Sequence, residues 1–482
     1  MNLESKLVGI QLDIIEQELK NFFPEDSKYS KKVKKLRDTL TPEAEWFACA
    51  FVQYQLIKTR EEYGQATKKN VNEVENALLS IKPARMSYIE DNITRHDQLA
   101  VIEELGLHVS PETKALLHPG TTSYDILDTA RSYLYKKAWN EVIRPELIKT
   151  IHQLFEKAEN YQDVLQVGRT HLQHTSPILL GSFFGNYAGR LTDRLKKCDT
   201  AFNDLRGKIS GMVGNGAGIE MVIGENALEF EKDVLRKLGL EPDNTAFQVV
   251  QKERLSDVGH SVTSLARVLG NLADDIRILY GSDIKELGSG ASEERLGGSS
   301  ADAAKDNPIL WENVAGKGDI IEGYMRVFYE MITTNLQRDL KNSVQARYAP
   351  LPLVMVYESL VRTNSSRGLK GLGVHFDNLE ANLQKVRDFP SEAMTAILRG
   401  EAWIHPELGV GHDFVKKMSV LAKHEKKPLL EVCLEDEDFQ KVFENLTNEK
   451  QTILKGGLEL YTGFAKEKLF KNIEEFNQYI KE

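Results

Sequence analysis

One short segment, Gly298-Ser299-Ser300-Ala301-Asp302-Ala303-Ala304-Lys305-Asp306-Asn307-Pro308-Ile309-Leu310-Trp311-Glu312-Asn313, concentrates two hydroxyls, a lysine, two amides and three carboxylates. A hydroxyl at a turn, outward backbone N–H groups, a cation and an amide donor together suit an anion. Alone, the same residues also read as a serine N-cap that satisfies the orphan amides of a helix. Among the eleven histidines, His171 stands in Gly168-Arg169-Thr170-His171, and an imidazole suits proton transfer near neutral pH. A core or surface role is the commoner fate of any single histidine. Arg338 and Arg347, nine residues apart, fall on a similar side of a helix, which fits two prongs on one phosphate or two plain surface charges.

Chemistry of this kind needs rigid elements to hold it. Leu255, Val258, Val262, Leu265, Leu269, Leu272, Ile276 and Leu279 recur at steps of three and four, which predicts a long helix over 252–283 with one buried seam. A second run, Leu134, Ala138, Val142, Leu147, Ile151, Leu154 and Ala158, predicts helix over 129–161, with Pro145 marking a kink or break. A third helix is expected at about 317–337, with Ile320, Ile321, Tyr324, Val327, Phe328 and Met331 on one side. Helices of this length predict an elongated bundle. Alternating β patterns are scarce and no strand leads into a phosphate loop, so the chain reads as mainly α. The glycine-rich stretch 288–298 (GSGASEERLGG) lies between the second and third of the long helices along the chain, as a linker or a lid.

The 482 residues carry 72 acidic against 62 basic side chains, a net charge of −10, with 41% hydrophobic and 28% charged residues. That sign opposes binding to nucleic acid. The lysine cluster around Lys28, Lys31, Lys32, Lys34 and Lys35 reads as a solvated helix face. Cys49, Cys198 and Cys433 are far apart and form no CxxC pair, so neither a disulfide framework nor a zinc site is expected, and a reducing compartment fits. The first residues, MNLESKLVGIQLDIIEQELK, are charged throughout, and no stretch approaches the ~18 apolar residues of a membrane span. The expected location is cytoplasmic, with no membrane partner.

The spacing GSSxxxxKxNP resembles the signature loop of the fumarase/aspartase superfamily of lyases, and further segments of that superfamily follow one another in order. These are Arg95-His96-Asp97, the stretch from His118 through Thr122, Ser123 and Asp125 to Asp128, the stretch from Gly168 to Pro177, and Gly211-Met212-Val213-Gly214-Asn215. Within it the chain resembles the adenylosuccinate lyase family. Lys28-Tyr29 sits where that family has a nucleotide-binding Arg-Tyr pair. Arg338, Ser343 and Arg347 sit where it binds the AMP phosphate.

The resemblance implies a three-domain, mainly α fold with a long central bundle: residues 1–128, 129–375 carrying the loop 288–308, and 376–482. It also implies a homotetramer with shared active sites, no metal and no cofactor. The reaction would be β-elimination of fumarate, from adenylosuccinate and from the succinyl-carboxamide ribotide of purine synthesis. In that scheme Ser299 is the base, His171 the general acid and Glu312 the group that orients its ring. Lys305 and Asn307 would bind the substrate carboxylates, aided by Thr122 and Ser123. His96 and His118 would bracket the nucleotide, and Gln248 would meet the succinyl unit.

The chain departs from the family loop at Asp302, Ala303, Ala304 and Asp306, where the usual reading is close to Met-Pro-His-Lys-Arg-Asn-Pro. Two carboxylates beside a dicarboxylate pocket should weaken binding unless they point away or pair, and loss of the proline leaves the loop less constrained. Two other readings follow: a superfamily lyase for another succinyl substrate such as argininosuccinate, or a catalytically silent homologue. Residues 1–19 carry Leu, Ile and Glu at helical spacing and suggest an added helix.

Overall fold

The computed structural model describes residues 12–22, 33–290, 301–302, 305–337, 341, 343–388 and 390–481. The described chain is mainly helical, as the periodicities required, with strands confined to four two-stranded sheets among the described residues. The expected helix over 252–283 is observed as Glu253–Tyr280. Its seam is buried from Val258 through Leu279, whereas Leu255 stays partly exposed at the first turn.

The break expected at Pro145 lies slightly earlier. Helix Ser123–Ala138 passes into a π-helical turn, Trp139–Ile143, before helix Arg144–Asn160 resumes. Pro145 follows the π turn directly and has no N–H to give to the helical ladder. The π turn is held from the side. Trp139 stacks on Phe202 with centroids 4.8 Å apart and donates its indole N–H to Asp199 (2.7 Å), which also receives Arg144 Nε at 2.9 Å. The third expected helix is two, Ile309–Gly323 and Met325–Ile332. Ile321, Met325, Phe328 and Met331 form the buried face, while Ile320, expected among them, is exposed.

The chain divides into two compact units. One comprises Met1–Ile148, Asp193–Gly270 and Val314–Val361, the other Lys149–Thr192, Asn271–Asn313 and Arg362–Glu482. In the first, helix Pro42–Glu62 is capped by Thr41, whose hydroxyl accepts the Ala44 amide, and supplies Ala48, Cys49, Val52, Leu56 and Ile57 to a core shared with Ile126, Phe230 and Val234. In the second, a core of Met394, Leu398, Phe414, Phe439 and Leu454 joins the helices beyond residue 390. Burial is the main stabilising term in both, about 25 cal/mol per Å² of apolar surface removed from water. The three cysteines are buried and unbonded, and burial pushes their thiols up, to about 12 for Cys198 and Cys433.

Candidate active site

The first unit gathers His96, His118, Thr122 and Ser123 on short loops that end at helix N-termini. A π turn, Glu90–Thr94, is closed by Arg95 in the left-handed region (φ 54°), and His96 then becomes the N-cap of helix Asp97–Gly106. Its Nδ1 accepts the Leu99 amide at 3.4 Å, and its Nε2 lies 3.1 Å from Ser123 Oγ. Thr122 caps helix Ser123–Ala138 in a capping box, its own N–H donating to Asp125 Oδ2 at 2.8 Å. The N-terminal end of that helix favours a carboxylate.

His118 is held differently. Its backbone is left-handed (φ 70°), and its Nδ1 accepts from Gln53 Nε2 at 2.9 Å. Arg60 clamps the same turn by donating to the carbonyls of Leu116 (3.2 Å) and Pro119 (2.7 Å). Gly120 must be glycine: at φ 79°, a Cβ there would lie 2.8 Å from the Gly218 carbonyl. Burial, reinforced by the neighbouring His96 and Arg60, lowers the His118 imidazole to about 4. His118 is therefore neutral near pH 7 and offers a hydrogen bond, not a positive charge.

Two buried ion pairs brace this region, and the motif reading passed over the chemistry of both. Asp125 pairs with Lys208, neither side chain exposed, and also accepts the backbone amides of Ser210 and Gly211. Lys208 Nζ reaches the Gly211 carbonyl as well. This pair ties the first turn of helix Ser123–Ala138 to the loop that begins at Gly211. Asp128 accepts from Lys252 Nζ at 2.7 Å and from the Val250 amide at 3.0 Å, fixing the entry to helix Glu253–Tyr280. Asp125 and Asp128 lie in a recognised segment, but Lys208 and Lys252 carry no motif that could have marked them.

Gln248 is half-buried, its amide donating to the Gln337 carbonyl (3.3 Å). Ser343 begins the short helix Ser343–Tyr348, and Arg347 lies in its last turn, exposed, at the edge of a cavity of about 360 Å³. That cavity is markedly acidic: Glu45, Glu90, Asp91 and Asp97 line it beside Arg131 and Arg347. Arg131 is committed to Glu45 through two hydrogen bonds of 2.9 and 2.8 Å. Burial, then Asp97 and Asp91, push the Glu90 carboxyl up, opposed by Arg347.

In the second unit, His171 occupies a tight β-hairpin that the sequence pattern did not reveal. Strands Leu165–Thr170 and Gln173–Leu179 pair antiparallel, and His171 and Leu172 form the two-residue turn between them with φ of 54° and 58°. Both central residues left-handed is the primed turn that matches strand twist, a place usually taken by Asn-Gly. Leu172 there is 68% exposed, and His171 is exposed beside it. Strain of this kind persists where the surroundings over-determine it. Here the surroundings are Glu286, buried, which accepts from Gln166 Nε2 (2.7 Å), Asn382 Nδ2 (3.0 Å) and the Arg169 guanidinium (2.5 and 3.1 Å). Gly168 sits at the register shift between Val167 and Arg169, where a Cβ would meet the Ser176 carbonyl at 2.2 Å.

Lys305 and Asn307 precede helix Ile309–Gly323, with Lys305 exposed and Asn307 half-buried. Glu312 is exposed in the first turn of that helix. Among the described residues no hydrogen bond or ion pair joins Glu312 to His171 within the chain. Asp306 accepts from the Tyr280 hydroxyl at 2.5 Å, and that hydroxyl also lies 2.7 Å from Ser289 Oγ. Burial, followed by the Asp306 bond, raises the Tyr280 phenol to about 12. Lys28, Tyr29, Ser299, Arg338, Ala303 and Ala304 lie outside the described residues. Among the described residues no group of three or more His, Cys, Asp or Glu could hold a metal ion, and no helix is long and apolar enough to cross a membrane.

The long-helix scaffold is that of the fumarase/aspartase fold. A family model described as lyase matches residues 47–323, and the chain belongs to that family. It is similar to the adenylosuccinate lyase of Methanocaldococcus jannaschii, 28% identical over 392 residues, covering 81% of this chain and 83% of the relative. The adenylosuccinate lyase of Archaeoglobus fulgidus is 25% identical over 474 residues, covering 96% and 97%. Two crystal structures share the fold. The 3-carboxy-cis,cis-muconate lactonizing enzyme of Pseudomonas putida matches with TM-score 0.77 at 19% identity, over 93% of this chain and 98% of its own. A fumarate lyase of Mesorhizobium sp. BNC1 matches with TM-score 0.75 at 20% identity, over 92% and 97%.

Proposed function

We propose that the protein is a C–N lyase that cleaves adenylosuccinate to AMP and fumarate, and the succinyl-carboxamide ribotide by the same elimination. The observation that carries this reading is similarity, over 81% and 96% of the chain, to two proteins named adenylosuccinate lyase. In the proposed reaction Ser299 removes a proton from the carbon next to a carboxylate, and the electron pair passes into a doubly charged aci-carboxylate. As the pair returns to form the fumarate double bond the C–N bond breaks, and His171 supplies the proton taken up by the leaving nitrogen. Lys305 and Asn307, with the helix amides behind Thr122 and Ser123, bind the carboxylates and stabilise the developing charge. Glu312 orients His171, Gln248 meets the succinyl unit, and His96 and neutral His118 donate to the nucleotide. Lys28, Tyr29, Arg338, Ser343 and Arg347 complete the nucleotide and phosphate contacts.

An exposed His171 on a stiff hairpin, not joined to Glu312 within its own chain, supports active sites shared between subunits of a homotetramer. The three-domain division near residues 128 and 375 and a cytoplasmic location belong to the same reading. The test is release of AMP and fumarate from adenylosuccinate by the purified protein beside its Ser299→Ala variant. Turnover in the first and none in the second is expected; equal rates in both would sink the proposed base.

The acidic wall around Arg347 favours a second reading, a lyase for a guanidinium-bearing substrate such as argininosuccinate. Replacing Arg347 by alanine separates the two. A nucleotide lyase loses substrate affinity, whereas an argininosuccinate lyase keeps it. A silent homologue would show no turnover with either substrate.

A further inference from the structure

We propose that Asp306 is a positioning residue, a latch that fastens the Lys305–Asn307 segment to the scaffold through Tyr280. The inference rests on the lyase reading above, which makes Lys305 and Asn307 the carboxylate-binding pair. Asp306 stands directly between them, and its charge would oppose a dicarboxylate if it faced one. It does not stand as a loose charge. Its carboxylate accepts from the Tyr280 hydroxyl, and Tyr280 is the last residue of helix Glu253–Tyr280, the longest described helix.

The same hydroxyl reaches Ser289 Oγ in strand Leu287–Ser289, which pairs with strand Leu372–Val374. Tyr280, Asp306, Arg362 and Arg367 line one cavity of about 180 Å³, so the carboxylate shares it with two guanidinium groups. Backbone bonds continue the tether on either side. Lys305 N–H donates to the Asp302 carbonyl (3.2 Å), and the amides of Trp311 and Glu312 donate to the Pro308 carbonyl. Asp306 thus holds the segment by a hydrogen bond to the end of a long helix. Misplacing substrate-holding groups by an ångström is costly, so the latch acts through Lys305 and Asn307, not on the substrate.

The experiment combines Asp306→Ala, Tyr280→Phe, their double variant and Asp306→Asn, which keeps an acceptor for the tyrosine. Kinetics on adenylosuccinate and hydrogen exchange of the backbone amides at 305–310 are read together. Each of Asp306→Ala and Tyr280→Phe is expected to raise KM about tenfold while kcat changes much less, and to speed exchange in that segment. The double variant is expected to be no worse than either, as for two ends of one interaction, and Asp306→Asn to recover most of the loss. A rise in kcat/KM on removing Asp306, losses that multiply in the double variant, or unchanged exchange would each overturn the latch. If the wild-type protein does not cleave adenylosuccinate, the substrate assignment falls while exchange still decides the latch.

Discussion

The His118 loop and the His171 hairpin hold the same side chain in the same left-handed backbone region and make opposite things of it. His118 is enclosed, bonded to Gln53 and kept neutral; His171 is in water at a turn tip. Each strained turn is over-determined by a fixed polar clamp, Arg60 on two carbonyls in one case and Glu286 with Arg169, Gln166 and Asn382 in the other. What differs is which way the imidazole faces: inward it is a fixed hydrogen-bonding group, outward it is available to a partner or substrate. Placement within the fold, not residue type, assigns the role.

The largest effect is expected from His171→Ala. Turnover should fall by roughly 10²- to 10⁴-fold, as for loss of a general acid, with no change in melting temperature because the ring is exposed. An enzyme that keeps its rate would show that the tip does no chemistry.

The clamp beneath the hairpin comes next. Glu286→Ala leaves Arg169 without its buried partner and should destabilise the protein by about 3–5 kcal/mol, read by denaturant unfolding. Loss of activity should accompany it because the turn loses its support; a stable, active Glu286→Ala protein would remove the clamp from the account.

On the His118 side the signature is pH dependence. The folded imidazole titrates at about 4 against an ordinary value of 6.5. The unfolded chain therefore takes up a proton that the folded chain refuses. Stability is complete above pH 6.5 and is lost as pH falls towards 4, by roughly 3 kcal/mol. His118→Asn should flatten that part of the acid limb, and an identical limb in the variant would show that His118 is not its source.

The smallest effect is expected at the hairpin tip itself. Leu172→Gly relieves a left-handed leucine and should stabilise by about 0.5–1 kcal/mol, less whatever glycine adds to the entropy of the unfolded chain. A lowered melting temperature would show that Leu172 contributes a contact worth more than the strain.

Much of this was legible in the chain. The seam from Val258 to Leu279 announced its helix because burial repeats every 3.6 residues and leaves a mark on composition. Helix Ser123–Ala138 starts six residues before the expected boundary at 129, at the Thr122–Asp125 capping box, because the apolar seam marks only the buried stripe and not the cap. Ile320 did not follow its neighbours inward because it stands one residue off the row Ile321, Met325, Phe328 and Met331, about 100° round the helix. The hairpin escaped because a primed turn normally advertises itself with Asn-Gly, and here His-Leu stands in its place. Lys208, Lys252 and Glu286 escaped because each partner is far away in sequence: 83 residues for Lys208 and Asp125, 124 for Lys252 and Asp128, 117 for Arg169 and Glu286.

By itself the sequence determined the helical class, the order of the lyase segments and the residue types that could carry an elimination, since these depend on local periodicity and on side-chain chemistry. Only the tertiary structure decided that His118 is neutral, that His171 stands exposed on a braced turn, and that Asp306 is turned onto Tyr280. Burial, partners and dielectric are properties of the space around a residue, and that space is assembled from parts of the chain that no local pattern connects.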